Sequence, residues 1–269
     1  MQMTIGQHFP GDSFLHKLDP RTKLLWTVFY MILLFAVKTV VGFSLFLVYT
    51  IFVVLLTKIP FRFYLRGLKP LLFLMLFTGV FNIFLTPGAP LFTIPYLGWS
   101  ASREGLVLAL LTMFRLLLLV IGTSVLTYTT SPILLTDGLE HLMRPLARFR
   151  FPAHEIAMMM TIALRFIPTL TEETDKIIKA QTARGADFMH GNLMQRIKAL
   201  IPLLVPLFIS AFRRADELAT AMECRCYHGG EGRTSLKQLL YTKKDLWFGL
   251  SFLLLLAGVI LSQIYFPHF

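Results

Sequence analysis

A chain of 269 residues that is 55% hydrophobic and only 15% charged, with a mean hydropathy of +0.66, is too apolar for a soluble domain of that length and reads as a polytopic membrane protein. Its net charge of +11 does not mark a nucleic-acid binder, because the lysines and arginines stand at segment ends and among acidic residues rather than in one aromatic-interleaved stripe. The two cysteines, Cys224 and Cys226, lie one residue apart inside a charged block, which does not resemble an oxidised secreted framework and fits a reducing, cytoplasmic setting.

Met1 to Pro20 holds Asp12, Asp19, Gly11 and two prolines without the basic-then-apolar pattern of a signal peptide, so no cleaved leader is expected. A spanning helix needs roughly 20 apolar residues, fewer where it tilts or turns back in a hairpin. Five segments qualify: Leu24 to Val37, Val40 to Leu56, Pro70 to Leu85, Gly105 to Tyr128 and Leu246 to Phe266. Lys38 and Thr39 between the first two predict a tight turn, since one continuous helix would exceed the bilayer thickness even when tilted. Thr86 to Ser102 carries Pro87, Gly88, Pro90, Pro95 and Gly98 and is predicted to be a loop, with Phe92, Tyr96 and Trp99 suited to a membrane interface.

Lysine and arginine are enriched on the cytoplasmic side. Lys17, Arg21 and Lys23 precede the first span, Arg62, Arg66 and Lys69 lie between the second and third, and the block between the fourth and fifth is rich in both. The opposite side has Lys38 and Arg103, with His268 at the far end. The expected topology places the N-terminus and the charged block inside and the C-terminus outside.

That block, from about Ser131 to Asp245, predicts two long amphipathic helices on the inner membrane face. The first opens apolar at Pro152 to Phe166, with Ile156, Met159, Met160, Ala163, Ile167 and Leu170 at helical spacing, and turns polar from Thr171. It stops at Gly185, a usual residue just past a helix C-terminus. The second follows a His190-Gly191-Asn192 turn, contains Pro202 and Pro206, and ends near Arg225. The expected fold class is an all-α membrane protein with about five transmembrane helices and two or three long cytoplasmic coupling helices between the fourth and fifth spans. Its expected divisions are 1–130, four spans; 131–243, the coupling helices; and 244–269, the last span.

Enzyme chemistry finds little support. His154-Glu155 is followed by Met158 where a zinc protease requires a second histidine. Gly229-Gly230-Glu231-Gly232-Arg233 lacks the lysine and spacing of a phosphate-cradling loop, so the chain is not expected to hydrolyse ATP itself. Gly122-Thr123-Ser124 has no histidine and acid paired with it. Cys224, Cys226 and His228 form a Cys-x-Cys-x-His cluster without a fourth ligand nearby, which reads either as a soft-metal site or, in preference, as two small side chains at a helix end. A stand-alone proton-coupled carrier would place acids within its spans. The main intramembrane charge is Arg115, which either lines an interior path or pairs with a carbonyl or with Asn82.

Two arginine motifs remain, Ala183-Arg184-Gly185 and Cys224-Arg225-Cys226, each ending a helix in the charged block. A cation there meets the partial negative charge of the last carbonyls. Its planar fork also suits bidentate recognition of a partner's carboxylate.

These motifs, with Pro10-Gly11-Asp12-Ser13-Phe14-Leu15-His16-Lys17-Leu18-Asp19-Pro20-Arg21-Thr22-Lys23 and the stretches Ala180 to Phe188 and Ala211 to Thr234, make most of the chain resemble the T component of energy-coupling factor transporters, the membrane scaffold of vitamin and micronutrient uptake systems. The family shows Ala-Arg-Gly or a close variant at both sites. Here Cys224 and Cys226 replace the usual Ala and Gly at the second, which leaves open whether residue 226 takes a glycine backbone. The resemblance implies that Arg184 and Arg225 dock two ABC-type ATPases, with ATP and magnesium bound by those partners and no cofactor held here. It also implies that apolar surfaces bind a membrane S component that captures the vitamin, in the plasma membrane of a prokaryote. The competing classes are a stand-alone secondary carrier and an intramembrane enzyme.

Overall fold

The computed structural model describes residues 9–94, 99–149, 151–186, 193–229 and 239–265. The chain forms two compact units, one of residues 1–139 with 239–269 and the other of residues 140–238.

The first unit is a bundle of apolar helices. Helix α1 (Pro20–Ala36) starts where the Asp19 side chain accepts the Arg21 amide, with Pro20 at the first helical position. Helix α2 (Val40–Thr57) is capped by Thr39 and stops at Lys58, whose φ of 56° ends the right-handed path. The turn expected at Lys38 and Thr39 lies between them. Helix α3 (Phe61–Leu68) runs through a 3₁₀ turn (Lys69–Leu71) into α4 (Leu72–Leu85). The third apolar segment therefore begins nine residues before the predicted Pro70. That proline lacks a backbone N–H, so the ladder tightens to a 3₁₀ turn there without breaking.

The predicted loop before the fourth span contains an antiparallel hairpin, β1 (Pro90–Ile94) and β2 (Trp99–Ser102), pairing Ile94 with Trp99 and Phe92 with Ala101. Pro90 is tolerated as the first residue of its strand, where the register shifts between Pro90 and Phe92 before regular pairing begins, so a proline-rich segment still forms a hairpin. Only the backbone of Phe92 and Trp99 is described, and Tyr96 lies outside the described residues. Helix α5 (Arg103–Thr129) follows, capped by Ser102. Helix α9 (Lys243–Tyr265) closes the unit; the expected end of its span at Phe266, and His268, lie outside the described residues.

Among the described residues, four helical stretches are long and apolar enough to cross a membrane: Val40–Thr57, Phe61–Leu85, Arg103–Thr129 and Lys243–Tyr265. At 17 residues, α1 rises only about 26 Å at 1.5 Å per residue, so the first of the five expected spans is shorter than these four. It nevertheless packs deeply against α5 and α9. Tyr30 and Leu34 are fully buried, and the Tyr30 hydroxyl donates to the Leu118 carbonyl at 3.0 Å and meets Thr50 Oγ1 at 2.8 Å. Gly122 makes room for that ring, since a Cβ there would come within 2.3 Å of it. Trp26 donates to the Tyr49 hydroxyl.

Lys23, read from the sequence as a cytoplasmic-side charge preceding the first span, is buried. Its ammonium donates to the Thr129 carbonyl at 3.1 Å and Thr130 Oγ1 at 3.2 Å, and a buried cation requires such partners. Arg115 donates to the Val37 carbonyl at 3.1 Å and lies over the Phe43 ring, which is the carbonyl-paired reading and not the Asn82 one.

Helix α6 (Pro132–Met143) runs across the boundary between the units. In the second unit a 3₁₀ stretch (Arg144–Phe149) leads to α7 (Ala153–Ala183), and α8 (Leu193–Glu223) follows. The two helices expected in the charged block are thus present, each 31 residues long. The turn predicted at His190-Gly191-Asn192 lies outside the described residues. Pro168 sits inside α7, and Pro202 and Pro206 inside α8. The two helices pack together, with Arg214 Nη2 donating to Glu173 Oε2 at 2.9 Å and Leu203 buried.

Candidate functional site

The carboxyl ends of α7 and α8 are built from the same backbone device. At the end of α7, Arg184 is the last half-helical residue, with φ −86° and ψ 5°. Gly185 follows at φ +87°, its amide donating to the Thr182 carbonyl at 3.0 Å, while the Ala186 amide reaches back to Gln181 at 3.0 Å. This crossed pair of bonds satisfies carbonyls that a helix end otherwise leaves free.

At the end of α8, the Cys226 amide donates to Glu223 at 2.8 Å and the Tyr227 amide to Met222 at 3.1 Å, with Cys226 at φ +55°. The offsets are identical, so Arg225 occupies the position of Arg184. A side chain in the left-handed region costs about 1 kcal/mol or somewhat more relative to glycine, and the two hydrogen bonds hold Cys226 there. The question left open by the sequence is answered: residue 226 takes the glycine-type backbone without glycine. The match lies in the backbone hydrogen bonds and not in residue type.

Ala183, Arg184, Gly185, Cys224, Arg225 and Cys226 are all exposed. Among the described residues neither arginine has an ion-pair partner, whereas Arg214, Arg144 and Arg21 each do. Each guanidinium therefore stands at the negative end of a long helix with its donors free, an arrangement suited to a carboxylate on another molecule. A Cβ added at Gly185 would meet nothing within 4 Å, so the approach to Arg184 is open and only the φ constrains that residue. Cys224, Cys226 and His228 do not gather as a metal site; among the described residues no group of three His, Cys, Asp or Glu side chains does.

Further contacts in this unit were not foreseen. His154 Nδ1 meets Glu140 Oε1 at 3.0 Å, so the histidine of the rejected zinc motif is held by an acid 14 residues earlier. The Ser210 hydroxyl and the Arg214 guanidinium beside Glu173 hold its carboxyl below its ordinary value. The face of α8 carrying Ile201, Val205, Phe208 and Phe212 is exposed throughout, each side chain more than half accessible.

A family model described as cobalt transport protein, CbiQ, matches residues 11–236. The chain is 54% identical over 265 residues to the energy-coupling factor transporter transmembrane protein EcfT of Clostridium kluyveri, covering 98% of this chain and 97% of that one. It is 52% identical over 265 residues to the EcfT of Ruminiclostridium cellulolyticum, covering 98% of each. To the EcfT of Bacillus subtilis it is 49% identical over 244 residues, covering 90% of this chain and 91% of that one.

Proposed function

The chain belongs to the CbiQ cobalt transport protein family, as a transmembrane T component of an energy-coupling factor transporter, and on that premise we propose that it couples two ABC-type ATPases to a membrane S component. The observation that carries this reading is the pair of matched helix ends, with Arg184 and Arg225 exposed in one backbone setting on two helices of equal length. Each arginine enters an acidic groove of one ATPase. ATP and magnesium are bound by those partners, and their closure changes the separation of the two ends.

The exposed apolar stripe of α8, from Ile201 to Phe212, supports docking of the S component, which carries the vitamin and supplies substrate choice. Helices α7 and α8 lie on the cytoplasmic side together with the N-terminus, and the C-terminus lies outside. This chain is the scaffold and does not catalyse hydrolysis.

The test is co-purification of the complex after Arg184→Ala and Arg225→Ala, singly and together. Removing an arginine from a desolvated carboxylate costs about 2 to 5 kcal/mol of binding, so each single change weakens retention of the ATPases and the double change abolishes it. A double variant that retains both ATPases and transports at the wild-type rate refutes the reading.

A further inference from the structure

Residues 140–238 form one compact unit inserted between Leu139 and Leu239 of the other. Every force passing between the units along the chain therefore crosses at those two points. Both crossings are gripped from within the membrane unit by the first turn of one helix, α1.

On the outgoing side, Gly138 packs against Pro20 and Leu24: a Cβ at Gly138 would come within 3.2 Å of both side chains. On the returning side, Arg21 Nη2 donates to the Leu239 carbonyl at 3.2 Å and its guanidinium lies 5.3 Å from the centre of the Tyr241 ring. Six residues past Leu239, Asp245 fastens the start of α9 to the same turn. Its Oδ1 accepts the Asp19 amide at 2.8 Å, and its Oδ2 accepts the Thr242 amide and hydroxyl at 2.8 and 2.6 Å.

The grip is built on buried groups. Asp19 and Asp245 are both nearly fully buried, and buried, hydrogen-bonded charges have few alternative arrangements. Arg21 is held in turn by Asp19, Nε to Oδ1 at 3.8 Å. Lys23, two residues on, ties the turn to the end of α5 through Thr129 and Thr130. One helical turn thus joins both chain crossings to α5 and α9.

We propose that the turn Asp19–Leu24 is the anchor that passes movement of residues 140–238 into the membrane helices, with Arg21 as its positioning residue. This rests on the coupling function proposed above.

The test uses the complete complex with its ATPases and ATP with magnesium as the probe, read by hydrogen exchange of α1, α9 and residues 140–238. In the wild type, ATP alters exchange in all three. In Arg21→Ala the ATPases still co-purify and residues 140–238 still respond. The response of α1 and α9 falls by about tenfold, the scale of an ordinary coupling free energy. Arg21→Lys, which keeps a donor for the Leu239 carbonyl, restores most of it. An unchanged response of α1 and α9 in Arg21→Ala overturns the anchor, and so does failure of that variant to assemble, which would make Arg21 a folding residue. A wild-type complex in which ATP alters nothing in α1 or α9 overturns the coupling reading as well, whereas loss of the ATPases from the Arg184→Ala, Arg225→Ala double variant upholds it independently of Arg21.

Discussion

Gly185 and Cys226 hold the same left-handed position one residue past an exposed arginine, at φ +87° and +55°, and each donates its amide to the carbonyl three residues back. The two helix ends are one structure written in different residues. Cys226→Gly therefore relieves the left-handed strain and stabilises the end of α8 by about 1 kcal/mol. Gly185→Ala destabilises the end of α7 by about 1 kcal/mol, although the space around it is empty. Local amide exchange at residues 181–186 and 222–227 checks both, and Cys226→Gly leaves ATPase retention at the wild-type level.

Acid acts on the contact between α7 and α8. The Glu173 carboxyl is held below its ordinary value by Ser210 and Arg214, so its contribution is fully present above its unfolded value of about 4.3. It is lost as pH falls through the lower folded value. Both side chains are partly exposed, at 26% for Glu173 and 32% for Arg214, which limits the pair to about 1 kcal/mol or less. In a pH titration, helix-pair stability in the wild type falls as the pH is taken below the ordinary carboxylate range. In Glu173→Gln that fall is absent.

The buried ring of Tyr30 against Gly122 sets a steric limit on the membrane unit. Gly122→Val forces the ring away from Thr50 and Leu118, and overpacking of this kind costs about 1 to 3 kcal/mol. The folded fraction recovered in detergent and its thermal midpoint both drop, while Gly249→Val, where a Cβ meets nothing within 4 Å, leaves them unchanged to within helix propensity.

The long helices, the turn at Lys38 and Thr39 and the closing glycine of α7 were legible because apolar runs and a glycine stop act locally. Cys226 was not, because a left-handed cysteine is held by bonds to residues 222 and 223 and carries no compositional mark. The hairpin before α5 was hidden by its prolines, one of which starts a strand. Lys23 and Arg21 read as topology signals. Burial of Lys23 and the grip of Arg21 on Leu239 depend on residues more than a hundred positions away, which no window along the chain contains. Of the candidate site, the two arginines were visible in the sequence, and their shared backbone frame was not.

Under the proposed function, the apolar face of α8 and the two arginine ends serve different partners. Phe208→Asn with Phe212→Asn removes large exposed side chains from the face and leaves Arg214 bonded to Glu173. The expected complex keeps its ATPases and loses the S component, with retention in pull-downs falling about tenfold or more, as for two aromatic contacts at an interface.

Pro168 is the middle residue of α7, with fifteen helical residues on either side, and Pro202 and Pro206 fall in the first half of α8. Each removes an amide from the ladder, and its ring crowds the carbonyl four residues earlier, so bending concentrates there. Both helices run unbroken through these prolines, and any flexing of either is expected there. A push at Arg184 travels about 24 Å along α7 before reaching Pro168, and one at Arg225 about 29 Å along α8 before reaching Pro206, so equal strokes at the two arginines are expected to emerge at the other ends as unequal displacements.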